Sequence, residues 1–230
     1  MDDVVRKFWQ TRSAEDFDHR ARNSGRMEAI SRVAEIAKSF LSKEGAISVD
    51  LGCGTGLFAK AVGIRGIIGV DFSLSLLTFA KKRMDTVWQK NIFDLQLKKN
   101  SVDNVISLFV IDDYPSDKKE MFFRQVFSFL KPGGHFFFAG YSPNDERMGK
   151  LRNAINAKAG VNFKIYLEDA SFYIDKFQEC GFIVDKTEIF KTSGAYETET
   201  QVMRLKREFI LMVAENPPDM IRNNAPNKIL

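Results

Sequence analysis

Val49-Asp50-Leu51-Gly52-Cys53-Gly54-Thr55-Gly56 sets three glycines at alternate positions, where a short apolar run hands over to a helical pattern. Glycine lets the backbone turn sharply and lets a ligand approach with no Cβ in the way. The start of a helix just beyond adds unpaired N–H groups. In a dinucleotide fold those donors meet a pyrophosphate, and the glycines follow the spacing G-x-G-x-x-G. Here the third glycine comes one residue early, and Asp50 stands two positions before the first. A carboxylate aimed at that place repels phosphate and welcomes an ammonium group.

Working outward, the pattern alternates short apolar runs with helical stretches, which predicts a mostly parallel sheet flanked by helices. Expected strands are 47–51, 66–70, 86–89 (a short edge) and 102–110. Helices are expected at 57–62, from a Ser73 cap to about Met84, and from a Ser116 cap to Leu130. Lys131-Pro132-Gly133-Gly134 reads as a turn into a strand over 135–140. Upstream, Met27, Ile30, Val33, Ala34, Ala37, Phe40 and Leu41 recur at helical spacing after Ser24, an N-cap type, and stop near Gly45. Before that, Trp9 and Phe17 sit among charges in a segment suited to short amphipathic helices that lie over something. Downstream, helices are expected over 145–159 and 168–180, and strands over 182–190 and 208–213 as an antiparallel closing pair. The chain from Asn216 onward has little to pack and is expected to fray.

With 230 residues and 44% hydrophobic content the chain can bury one ordinary core. No apolar run approaches the roughly 20 residues that span a bilayer, and the amino terminus has no export signal. Two unpatterned cysteines, Cys53 and Cys180, fit a reducing cytoplasm, and no metal site is expected. A net charge of +4 from 34 basic and 30 acidic residues is too mild to identify a partner.

Asp71 ends the second expected strand, 19 positions after Gly52. An acid at about this distance accepts hydrogen bonds from both hydroxyls of an adenosine ribose. With Asp50 and the early glycine, this describes an adenosine ligand carrying a cationic amino-acid end, and S-adenosylmethionine fits.

The stretch 49–56, followed by Gly69-Val70-Asp71-Phe72-Ser73, resembles the first two motifs of the class I methyltransferases. The resemblance continues through Asn91-Ile92-Phe93-Asp94-Leu95, then 101–107, then Leu130-Lys131-Pro132-Gly133-Gly134. It implies a Rossmann-like α/β fold: a seven-stranded, mostly parallel sheet with an antiparallel last strand, helices on both faces and an N-terminal helical lid. The implied organisation is a lid over 1–45, a methyltransferase domain over 46–216 with a cap insert at 142–166, and a flexible tail over 217–230. Carried over by position, Asp50, Gly52, Cys53, Gly54 and Gly56 line the methionine end. Asp71 binds the ribose, Phe72 stacks beside the adenine, and Ile92 and Ser107 complete the cofactor set. Asn91 stands where the family usually has an aspartate facing the adenine amino group, and its amide oxygen can still accept that hydrogen bond.

Acceptor-side residues are less defined. Asp112 and Asp113 follow the fourth strand at its carboxyl end, where such sheets bind ligands; each is a candidate general base or simply part of a helix-entry turn. Tyr141 and Tyr114 share that edge as candidates to orient a substrate. Trp9 and His19 belong to the lid and are candidate contacts or surface residues. His135 starts its strand at the opposite edge, and the Phe-rich stretches have core spacing. In the insert, five basic residues stand against Asp145 and Glu146, either as a solvated helix face or as a cap favouring an acidic substrate.

The residues after the fourth strand, Phe109-Val110-Ile111-Asp112-Asp113-Tyr114, lack the Asn/Asp-Pro-Pro-aromatic motif of the branch that methylates base amines. The expected activity is therefore methyl transfer to a small-molecule acceptor, with nucleic acid disfavoured and a homodimer left open. Methylation of RNA or protein is the competing activity. A nicotinamide oxidoreductase is opposed by Asp50 and the early third glycine, while a non-catalytic cofactor-binding sensor or partner subunit would carry the same motifs.

Overall fold

A computed structural model describes residues 9–10, 13–146, 148, 165–197 and 202–218. Seven strands form one sheet: β1 (Ser48–Leu51), β2 (Ile68–Asp71), β3 (Thr86–Gln89), β4 (Val102–Leu108), β5 (Leu130–Tyr141), β6 (Ile183–Glu197) and β7 (Val202–Glu215). Their spatial order is β3-β2-β1-β4-β5-β7-β6. Strands β1 to β5 pair in parallel, and β7 runs antiparallel between β5 and β6.

Among the described residues, six helices of six residues or more cover the sheet: α1 (Ala14–Asn23), α2 (Arg26–Leu41), α3 (Leu57–Val62), α4 (Leu74–Ala80), α5 (Ser116–Phe129) and α6 (Ala170–Glu179). Strand alternation divides the phenylalanines of β5 between two cores. Phe137 joins α2 and α3 on one face, while Phe136 and Phe138 join α5 and α6 on the other. All three are fully buried, each worth about 1.5–3 kcal/mol relative to exposure.

Several local expectations change. Ser24 does not cap α2; it ends α1, its N–H donating to the Arg20 carbonyl, and Gly25 precedes α2 at φ 75°. A sharp corner between two helices needs that left-handed residue more than a side-chain cap. The cap of α5 is Pro115, and the Ser116 hydroxyl instead donates to Glu168 at 2.9 Å. Lys131–Gly134 belongs to β5, where Leu130 pairs with Val102 before a register shift brings His135 beside Asn104. The closing pair is much longer than its apolar runs suggest, 15 and 14 residues.

The chain does not fray at Asn216. That residue is fully buried, its N–H donates to the Gly134 carbonyl and its amide to that of Leu130. Within the expected lid over 1–45, α2 is a core layer, burying Ala29, Ile30, Val33, Ala34, Ala37 and Leu41. The expected helix over 145–159, most of the cap insert 142–166 and the tail from 219 lie outside the described residues. No helix among the described residues is long and apolar enough to cross a membrane.

Candidate active site

The glycine loop leaves β1 in a conformation that side chains rarely adopt: Gly52, Gly54 and Gly56 have φ of 78°, 54° and 77°. Gly52 has no room either, because a Cβ there would lie 2.4 Å from Val110 Cγ2. Asp71, at the end of β2, ties the loop down: its Oδ2 accepts from the Gly54 N–H at 2.9 Å and its Oδ1 from the Ser73 N–H at 2.8 Å.

Above this loop, at the carboxyl ends of β1, β2 and β4, lies a chamber of about 890 Å³ that includes the open solvent at its mouth. Asp50 and Asp71 form its polar floor, both more than nine-tenths buried. Burial, together with the neighbouring Asp71 charge, pushes the Asp50 carboxyl up to about 8. Asp71 is also raised by burial, against the lowering effect of its backbone donors. Cys53 borders the same space, but burial and the two carboxylates push its thiol well up, so it stays protonated and unreactive.

The N-terminal segment roofs the chamber. The Trp9 indole N–H donates to Asp113 Oδ2 at 2.9 Å. Phe17 lies over the loop, so close that a Cβ on Gly54 would be 3.3 Å from its ring. The Arg26 guanidinium stacks 4.4 Å from the Phe17 ring centre and also borders the chamber. A buried network anchors this roof. Asp18 on α1 accepts from the Thr55 hydroxyl and from Arg83, both at 2.5 Å, and Arg83 also donates to the Thr55 carbonyl at 2.9 Å. The roof is thereby bonded to the glycine loop itself.

Of the expected cofactor residues, Asp50, Gly52, Cys53, Gly54, Asp71, Phe72, Asn91 and Ile92 border the chamber, and Gly56 and Ser107 do not. Gly56 precedes α3 and backs onto Ala80, Arg83 and Met84. Ser107 is fully buried within β4, and the residues that follow it, Leu108, Phe109 and Val110, form the wall. Asn91 accepts from the Phe93 N–H at 3.1 Å, capping a 3-10 turn.

Among the acceptor-side candidates, Trp9, Asp113 and Tyr114 border the chamber, whereas Asp112, Tyr141 and His19 do not. The two aspartates share a 3-10 turn (Ile111–Asp113) and diverge. Asp112 is buried behind the wall, where its Oδ1 accepts from the Tyr141 N–H and the Tyr173 hydroxyl at 3.4 and 3.5 Å. Tyr141 packs against Phe109 in a tilted arrangement, with ring centres 5.0 Å apart. His19 is exposed on α1 beside Asn23. Burial holds Asp113 at about 6 against the Trp9 hydrogen bond that lowers it, and Asp112 at about 7 against Lys119.

Sequence reasoning missed Arg26, Phe109 and the anchor formed by Asp18, Thr55 and Arg83. Phe109 carries the clearest local mark, a φ of 61° at the chamber wall; non-glycine residues in that region are sparse and concentrate at functional sites.

The family model for a methyltransferase domain matches residues 49–138, from β1 into β5. Phosphoethanolamine N-methyltransferase 1 of Triticum aestivum is 25% identical over 195 residues, covering 77% of this chain and 36% of that protein. Ubiquinone biosynthesis O-methyltransferase of Coxiella burnetii is 24% identical over 132 residues, covering 53% of this chain and 56% of that one. The chain thus spans about a third of the first relative's length and just over half of the second's. Among solved structures, magnesium protoporphyrin IX methyltransferase from Synechocystis, with S-adenosylhomocysteine bound, superposes with a TM-score of 0.66 at 15% identity, covering 94% of this chain and 99% of that one. The matched methyltransferase domain thus lies on the glycine loop and the two buried carboxylates, within a sheet of the order found here.

Proposed function

We propose that the chain transfers the methyl group of S-adenosylmethionine to a small-molecule acceptor held beneath the roof formed by Trp9 and Phe17. The observation that carries this reading is the chamber's polarity. The buried carboxylates Asp50 and Asp71 line the same chamber as the rings of Trp9, Phe17 and Phe109. Asp50 accepts no hydrogen bond from any described residue, although burial of a bare carboxylate is costly. An ammonium group against Asp50 would relieve that cost, and ribose hydroxyls can use the lone pairs that the Gly54 and Ser73 donors leave on Asp71. Phe72 and Ile92 would flank the adenine, and Asn91 would face its edge.

When bound, the cofactor supplies a sulfonium methyl already activated for in-line displacement, whose carbon–sulfur electrons return to sulfur as the acceptor's lone pair takes the carbon. The chain's contribution is position and dryness. Phe109 and Val110 wall the acceptor's approach, and Phe17 keeps water from the loop. Asp113, near 6 and oriented by Trp9, takes the acceptor's proton where one must leave. The roof is best drawn as the described residues 9–10 and 13–25, with α2 assigned to the methyltransferase domain. The chamber's enclosure favours a metabolite over a nucleic acid or protein side chain, and the buried free thiols of Cys53 and Cys180 suit a reducing cytoplasm.

Incubating the protein with methyl-labelled cofactor and separated cell fractions tests the proposal. It expects label in a low-molecular-weight product. Label confined to RNA or protein, or tight cofactor binding with no transfer to any fraction, would overturn it.

A further inference from the structure

At the edge of the sheet opposite the chamber, three strands bring together residues far apart in sequence. His135 on β5 and Glu215 on β7 are direct cross-strand partners. On the other side of β7, β6 pairs Val184 with Ala214 and Lys186 with Val213, so Asp185 is the extra residue of a bulge. Bulges re-aim side chains, and this one joins Asp185 to the other two. One ligand atom from each of His135, Asp185 and Glu215 lies within 4.8 Å of the other two.

We propose that His135, Asp185 and Glu215 bind a divalent transition-metal ion, zinc best, which staples β5, β7 and β6 together. The donor set is one imidazole nitrogen and two carboxylate oxygens, whose two negative charges balance the ion. Zinc takes such ligands at about 2.0–2.2 Å, which the side chains reach by small rotations. The imidazole selects against magnesium and calcium, which prefer all-oxygen sites.

Two independent features favour an ion over a chance cluster. First, the histidine is pre-oriented: Phe40 packs against it with ring centres 4.3 Å apart and Phe137 stacks at 6.3 Å. Second, no strong cation offsets the two carboxylates. Among the described residues, none of the three side chains has a hydrogen bond or an ion pair with a lysine or arginine. The nearby Lys43 ammonium sits over the Phe40 ring, 5.5 Å from its centre. His135 and Glu215 are half-buried and Asp185 is exposed, so the fourth coordination position opens to water. The site is level with the amino end of β1, because His135 pairs with Asn104, which itself pairs with Ser48. It is therefore separate from the methyl-transfer chamber, and its role is to hold the hairpin to the parallel sheet.

The test is zinc titration of the tag-free, chelator-treated full chain by calorimetry, with cobalt(II) absorption as a second readout and magnesium as the control. The expected result is one zinc per chain, the visible bands of four-coordinate cobalt, and no heat with magnesium. Affinity should fall at least tenfold in both Asp185→Asn and His135→Gln, while S-adenosylmethionine binding stays unchanged. Asp185→Asn alters an exposed side chain and keeps the test valid if His135→Gln folds poorly. No zinc uptake, or unchanged affinity in Asp185→Asn, would overturn the proposal.

Discussion

The two halves of the sheet solve opposite problems. On the cofactor side, β1, β2 and β3 are each four residues long, and the structure is set by tight turns and buried charge. On the other side, β6 and β7 form a long ladder whose outer part, residues 191–197 against 202–208, runs past the end of β5. That extension reaches the N-terminal corner: Arg207 donates to the Ser24 carbonyl, and Gly194 packs so closely that a Cβ would lie 2.5 Å from the Ser24 backbone. The short strands make the binding loop, and the long ones brace the corner from which its roof hangs.

Breaking this arrangement on the cofactor side is expected to show most strongly in cofactor affinity at Gly52. Gly52→Ala introduces a Cβ into Val110 at a left-handed position, and cofactor affinity should fall roughly a hundredfold or more, about 2.7 kcal/mol, by calorimetry. Cofactor binding is the readout because the sheet itself is not touched.

On the brace side, Arg207 and Asp145 form a pair at 2.9 Å with both side chains fully buried. Arg207→Met leaves the buried Asp145 charge with only the Met148 and Glu208 N–H groups as donors among the described residues, which should cost about 3–5 kcal/mol in chemical denaturation. A small loss would mean that the corner is held by other contacts.

Asp18→Ala sharpens the comparison by cutting the roof from the loop without altering either chamber carboxylate. It should weaken cofactor binding about tenfold, or 1.4 kcal/mol, mainly through faster dissociation in stopped flow. An unchanged off-rate would show that the roof closes without its anchor.

The smallest effect is the dependence of stability on pH. Asp50, Asp112 and Asp113 have folded values near 8, 7 and 6, above the 3.8 of an ordinary aspartate. Their folded forms bind protons more tightly than the unfolded chain does. The resulting stability is complete below about pH 4 and is lost as pH rises through 6 to 8. Carboxylates held low, such as Asp103, titrate below that window. The ligand-free protein should therefore melt several degrees lower at pH 8.5 than at pH 5.5, and Asp50→Asn should flatten the trend. A melting temperature that rises over this interval would contradict the assigned burial.

These two halves were not equally legible in the sequence. From β1 to β5, apolar runs, glycine punctuation and helical spacing agree, so the succession of strands and helices and the loop were legible, except that Lys131–Gly134 reads as a turn and is instead the start of β5. The hairpin was read short because its outer part, including Lys191-Thr192-Ser193-Gly194 and Arg204-Leu205-Lys206-Arg207, has no apolar alternation to mark a strand. Its pairing is stabilised by the ladder and by the Ser24 corner, which are tertiary facts. Within the site, Asp50 and Asp71 are fixed by motif spacing. Which of Asp112 and Asp113 faces the chamber depends on one 3-10 turn, and adjacent residues there diverge. Ser24 and Ser116 are good cap residues by type, but a left-handed glycine and a proline took those positions.

The most direct measurement is calorimetric titration of S-adenosylmethionine into the native chain and Asp71→Ala, with circular dichroism as the control for folding. The account predicts one site per chain in the native protein and at least a hundredfold weaker binding in the variant, about 2.7 kcal/mol, with the spectrum unchanged. Equal affinity in the two proteins would contradict the assignment of the cofactor to the glycine loop.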